Sequence, residues 1–437
     1  MSGAAGLGWF GIVRLGAVQA AIGAMVMLVT SLLNRVMVVE YALAAAIPGA
    51  LVGWHYAAQL SRPLWGFRAD ASPRRTPWVL TGMGVLALGV LMAVDATLFM
   101  DGSRWWPVPL AILAYTMIGL GVGMAGTALL ALLASRTVPE RKPAAAAICW
   151  TMMVAGIVIA AATGKAFLEP FSPQRLAIFC SLVALGAFVL ALAALHRVEE
   201  RSTPVPRAAP LLRQPFADTL RDIWADRQAR AFTGFVFISM LAYSMQDLIL
   251  EPFAGLVFGL TPAESTGLAG TQHQGILLGM LIAGAGGSLL ARRFGPRLKL
   301  WVTGGCIASA LMLAALSAAA LAGRGWPLEA NVFGLGVANG VFAVAAVGAM
   351  LGLASDGKGS GEGARMGVWG AAQAVAFGLG GFLGAVLVDG LRARIGDDGA
   401  AFQTVFAIEA ALFVLAAMVA MGTRLARAEP RGEVVPA

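Results

Sequence analysis

The chain has 437 residues, 59% hydrophobic and 12% charged, with a mean hydropathy of +0.80. Soluble domains carry about 25% charged residues, so a soluble domain is excluded and an all-α polytopic membrane protein is predicted. The formal charge of +8 does not mark a nucleic-acid binder, because Lys and Arg are scattered among short loops and form no stripe.

A spanning helix needs about 20 apolar residues. On that basis twelve transmembrane helices are predicted, at 12–34, 43–66, 77–98, 107–134, 145–166, 174–195, 231–256, 265–290, 300–322, 330–353, 365–389 and 402–423. The first run is long enough to span and reads as a membrane helix, not as a cleavable signal. With both termini in the cytoplasm, 24 of the 31 Lys and Arg fall on the cytoplasmic side. That is the asymmetry the positive-inside rule requires.

Span one ends on Asn34 and Arg35, with Glu40 after it. Span two carries His55 and Gln59 and runs into "GFRADASPRR" (66–75). This segment resembles the G-x-x-x-D-R-x-G-R-R motif of the major facilitator superfamily at Gly66, Asp70, Arg74 and Arg75, and departs from it at Ala71 and Pro73. Gly66 suits a close helix crossing, and Asp70 can accept from Arg groups or a helix N-terminus. Glu140 and Arg141 lie in the corresponding charged loop before span five.

Residues 196–230 hold the longest polar stretch. Phe216, Leu220, Ile223 and Trp224 recur there at helical spacing, which predicts an amphipathic helix on the cytoplasmic face. Similar segments recur across this linker. Ser135 and Ser355 are 220 apart, Trp150 and Trp369 219, Gly66 and Gly287 221. The repeat predicts two six-helix halves, 1–195 and 231–423, with a tail at 424–437, an arrangement of the major facilitator type.

Span seven contains "SMQDLILEPFAGLVFG" (244–259). Asp247 and Glu251 lie roughly 24 and 30 Å along it, in its outer third and on one face. Pro252 predicts a kink or an end there. Two readings stand for Gln246, Asp247 and Glu251 with Asn34, Arg35 and Glu40. They form an outer gate between the halves, with Arg35 pairing to an acid, or they are interface residues wetted by headgroups. Span eight carries Gln272, His273 and Gln274. His55 and His273 read either as magnesium ligands for a pigment or as hydrogen-bonded helix contacts. Glu409 is placed two turns into span twelve, leaving only histidines and glutamines near the midplane. The cysteines, Cys149, Cys180 and Cys306, read as small buried hydrophobes.

Four segments carry a resemblance: "LLNRVMVVE" (32–40), "GVGMAGTALLALLASRTVPERKP" (121–143), "FVFISMLAYSMQDLILEPFAGLVFGLT" (235–261) and "GVWGAAQAVAFGLGG" (367–381). They lie in both halves and resemble the PucC/LhaA-like, or bacteriochlorophyll delivery, family of the major facilitator superfamily. The resemblance implies a light-harvesting complex assembly factor of the photosynthetic intracytoplasmic (bacterial inner) membrane. It implies bacteriochlorophyll as the bound group, with His55, His273, Gln59, Gln272 and Gln274 as pigment-site candidates. Antenna polypeptides and pigment-biosynthesis enzymes are the implied partners. A proton-coupled transporter of a small amphipathic solute is the alternative. No Ser–His–Asp set, metal cluster or P-loop is recognisable, so no enzyme is expected.

Overall fold

Residues 6–37, 41, 46–100, 106–168, 172–201, 215–246, 249–260, 262–294, 298–356 and 361–422 are described in a computed structural model, and they are helical except in short connections. Helix α1 (Trp9–Met27) continues through a π-helical turn, Leu28–Leu32, to Arg35. Helices α2 (Ala46–Ala58) and α3 (Arg62–Ala71) form one rod through Gln59–Ser61. Then follow α4 (Thr76–Leu98), α5 (Pro107–Arg136), α6 (Lys142–Phe167) and α7 (Pro173–Leu195). A short helix, α8 (Phe216–Ala225), precedes α9 (Arg227–Met245) and α10 (Leu250–Phe258). The chain then forms α11 (Pro262–Phe294), α12 (Leu298–Ala322), α13 (Leu328–Asp356), α14 (Glu362–Ile395) and α15 (Asp398–Gly422).

Proline explains several starts. Pro63, Pro77, Pro107, Pro143 and Pro173 each sit in the first turn of α3 to α7, where the missing N–H leaves no bond unmade. Nine helices among the described residues are long and apolar enough on their own to cross a membrane. The α2–α3 rod, α9 with α10, and α11 bring the bundle to twelve rods.

Packing repeats with a period of six rods. In the first half α1 packs on α6, α2 on α5, and α4 on α5 and α7. In the second, α9 packs on α14, α11 on α13, and α12 on α13 and α15. The halves meet along two seams that are themselves equivalent, α3 against α14 and α11 against α6. This is the two-fold, six-plus-six arrangement that the sequence repeat anticipates.

Two expectations need correction. Span seven does end in this stretch, but ahead of Pro252 and not at it. It stops at Met245, and Pro252 stands in the first turn of α10, where its missing N–H costs nothing. Gly259, at φ 71°, closes α10 as a left-handed cap. Span twelve begins at Asp398, so Glu409 lies about 16 Å along a 25-residue helix. It is a fully buried carboxylate at mid-depth, in a position the sequence reading assigned to no acid.

Candidate functional site

The charged loops at the Arg-rich end of the bundle form a latch between the halves. Gly66 on α3 faces Gly363 on α14 so closely that an added Cβ would strike the Gly363 carbonyl. That approach lets Asp70 reach across and accept from the Ala364 amide at 3.0 Å, at the positive end of the α14 dipole. The same carboxylate accepts from Arg75 Nη2 at 2.6 Å. Arg75 also donates to the Ala131 carbonyl and to Ser135 Oγ, and pairs with Glu362 across the seam at 3.2 Å. Burial alone would lower its pKa, but Asp70 and Glu362 outweigh that and raise it above the ordinary arginine value. Arg74, by contrast, is exposed and pairs with Glu200 at 3.5 Å.

Three latch contacts escaped the sequence reading. Glu199 accepts from the backbone amides of Arg75 and Thr76, at 3.0 and 2.8 Å, capping α4. Lys142 donates to the Leu351 carbonyl of the other half at 3.3 Å. Asp226 caps α9 through the amides of Gln228 and Ala229 and pairs with Arg365 at 2.9 Å. Beside it, α8 is held by Ile223 against Ala364 and Phe67, with Phe216 and Phe67 ring to ring at 5.4 Å. The signal for Glu362 and Arg365 lies between the repeat positions Ser355 and Trp369, whose spacing marks a repeat and not a charge partner.

Deeper in the bundle a directed chain of hydrogen bonds starts at this latch. Arg62 donates to the Gly370 carbonyl of the other half at 3.3 Å and to Gln59 Oε1. Gln59 Nε2 meets His55 Nε2 at 2.9 Å, and His55 Nδ1 meets the Val52 carbonyl at 2.9 Å. A carbonyl only accepts, so Nδ1 carries the proton and Nε2 accepts from Gln59. Both nitrogens of the buried His55 are thus engaged, and ligating a metal through Nε2 requires Gln59 to turn away. Next to it Tyr56 stacks on Phe377 across the seam at 6.3 Å, and Tyr243 meets Phe377 edge-on.

His273 does not share that environment. It is exposed on α11, as is Gln274, while Gln272 is buried. At the opposite end, Asn34 is half-buried and Gln246 is buried, with neither amide atom hydrogen-bonded among the described residues. Glu40 and Asp247 lie outside the described residues. Arg35 and Glu251 lie in helices, but their side chains are outside the description. Glu140 is exposed and Arg141 partly so, its guanidinium 5.3 Å from the Trp9 ring. The three cysteines are buried and free. No group of His, Cys, Asp and Glu among the described residues could hold a metal ion.

The PUCC protein family model matches residues 32–428. The chain belongs to this family. A relative from Rhodobacter capsulatus, named bacteriochlorophyll synthase 44.5 kDa chain, is 49% identical over 99% of both chains. Protein PucC of Rhodobacter capsulatus is 29% identical over 93% of this chain and 90% of its own length. A bacterial homologue of the iron transporter ferroportin, in an outward-facing state, superimposes with a TM-score of 0.71 at 15% identity, over 95% of this chain and 99% of its own. The major facilitator proton:xylose symporter XylE gives 0.69 at 12% identity, over 94% and 95%. At such identities these structures establish the fold alone. They make this PUCC family member a multi-pass membrane protein of major facilitator architecture.

The expectation that the chain is no enzyme is overturned by the 49% identical relative, whose name makes it a chain of a synthase. Lack of a recognisable catalytic set in one chain does not exclude a place in an enzyme of several chains.

Proposed function

We propose that this protein handles bacteriochlorophyll during the assembly of light-harvesting complexes, binding or delivering the pigment to antenna polypeptides within the membrane. The observation that carries the reading is the match, over 99% of both chains, to a relative named for bacteriochlorophyll synthesis. Pigment-biosynthesis enzymes and antenna polypeptides are then its partners, and the photosynthetic inner membrane its location. The Arg-rich end is the cytoplasmic one, by the positive-inside rule, so the latched conformation is closed to the cytoplasm. His55, freed from Gln59, and the exposed His273 are the candidate magnesium ligands. The test is purification in mild detergent from pigmented cells. Co-purifying bacteriochlorophyll absorbance, reduced by His55→Ala or His273→Ala, supports the reading. Pigment-free protein in every preparation refutes it.

A second reading, proton-coupled transport of a small amphipathic solute, is favoured by one observation, the buried Glu409 at mid-depth. Solute flux into proteoliposomes that follows a pH gradient and is lost in Glu409→Gln supports it. Flux insensitive to either condition removes it.

A further inference from the structure

Where the second seam meets the Arg-rich end, α1, α6 and α11 enclose a groove of about 780 Å³. Ligand pockets span about 300–1,000 Å³, so its size is that of a binding site. It straddles both halves. Its floor is the contact of Ala147 on α6 with Gly284 on α11, tight enough that a Cβ on Gly284 would strike the Ala147 side chain. Its walls are small or apolar, including Ala144, Ile148, Leu281 and Ala285. Leu281 and Ala285 are exposed, so the groove is open along α11.

The rim differs in chemistry from the walls. Trp9, 46% exposed, presents its indole there, with the Arg141 guanidinium 5.3 Å from the ring and Glu140 beside it. An indole at a membrane boundary prefers headgroup depth. The rim offers a flat aromatic face and a hydrogen-bond donor for ring carbonyl oxygens.

We infer that this groove is the tail slot of a tetrapyrrole ester: the isoprenoid tail lies over the Ala147–Gly284 floor and the macrocycle rests at the Trp9–Arg141 rim. The inference rests on the pigment-handling reading above and gives it a place of entry from the leaflet at the Arg-rich end. Lipid tails are as apolar as the groove walls, so there is no hydrophobic gain on entry. Recognition comes from the packing of a branched chain against small side chains and from the polar contacts at the rim. The seam is shared by both halves, so an occupied groove is sensed by both.

The experiment uses the full chain in nanodiscs at fixed pigment-to-lipid ratio, with bacteriochlorophyll and its tail-less acid, bacteriochlorophyllide, as probes. Ala285→Trp and Ala144→Trp plug the groove, and Leu182→Trp, an exposed site on α7, is the matched control. Thermal unfolding verifies that each variant is folded. The expected result is an affinity loss of about tenfold for bacteriochlorophyll in either plugged variant. The control stays unchanged, and the weaker bacteriochlorophyllide binding is unaffected. Trp9→Leu is expected to weaken both probes. Bacteriochlorophyll binding that survives both plugs overturns the groove assignment while leaving pigment handling intact. Loss of a co-purifying phospholipid in the plugged variants, with pigment binding unchanged, overturns it too and marks the groove as a lipid site. Absence of binding of either probe to the wild-type chain overturns the pigment-handling reading itself, and the groove assignment with it.

Discussion

The two ends of the bundle are built differently. At the Arg-rich end the halves are joined by charge and backbone together: Asp70 on the Ala364 amide, Arg75 on Glu362, Arg62 on the Gly370 carbonyl and Lys142 on that of Leu351. At the other end α9 stops at Met245, α10 restarts at Leu250, and α10 leans on its own half through Phe253 against Phe402 and Phe406. Among the described residues, the Arg-rich end is fastened across the seam by charge, and α10 is packed within its own half. Polar contacts within a dry seam are costly to leave half-made, so the Arg-rich end resists opening.

The largest expected effect comes from breaking the fastening. Arg75→Ala removes the base that Asp70 and Glu362 share, and removing one member of a buried ionic network costs about 3–5 kcal/mol. A clear drop in melting temperature is expected. Hydrogen exchange is expected to rise in residues 362–370 while that of α10 stays unchanged. Equal loosening at both ends would show that the latch does not act locally. Gly66→Ala comes next. Its Cβ falls on a backbone carbonyl that cannot step aside, and overpacking of that kind costs about 1–3 kcal/mol. Gly53, with open space around it, is the control. Gly53→Ala should leave the melting temperature unchanged or raise it, since alanine favours a helix by up to about 1 kcal/mol.

The buried Glu409 sharpens the comparison from inside the second half. Glu409→Gln keeps the shape and removes the titratable group, so stability is expected to change by less than about 1 kcal/mol, or to rise. A collapse of the fold on this change would mean that the carboxylate is held ionised by its surroundings.

Much of the fold was legible because lipid imposes it. Twelve apolar stretches of spanning length and a repeat near 220 residues are enough to place the rods and pair the halves. The motif residues Gly66, Asp70 and Arg75 were legible as a group because "GFRADASPRR" resembles a loop motif of the major facilitator superfamily. Their partners were not. Glu199, Glu362 and Asp226 are ordinary surface acids by sequence, and only the crossing of α3 over α14 and the docking of α8 give them roles. The break in span seven was legible, but it was placed at Pro252 because proline was taken to end a helix, whereas here it stands at a helix start. Glu409 was misplaced because span twelve was started at residue 402 and the helix begins at Asp398, which shifted the depth scale by about one turn.

The smallest expected effect belongs to Asp226, and it is a pH effect. Partial burial would raise its pKa, but the hydrogen bond from Arg365 and those from the Gln228 and Ala229 amides outweigh it and hold the carboxyl below the ordinary value of 3.8. A carboxyl depressed in the folded state contributes stability that is fully present above its unfolded pKa and is lost as pH falls through the folded one. The window therefore lies below about pH 4. The side chain is one-third exposed, so solvent screening limits the contribution to below about 1 kcal/mol. Asp226→Asn should melt slightly earlier than the wild type at pH 6, and the gap should close as the pH is lowered through this window. Hydrogen exchange in α8 reads the same change locally, since α8 ends beside Asp226 and bridges Phe67 of one half to Ala364 of the other. A gap that persists unchanged at the lowest pH would mean that Asp226 acts there as a helix cap through its shape, and that its charge pairing with Arg365 contributes nothing.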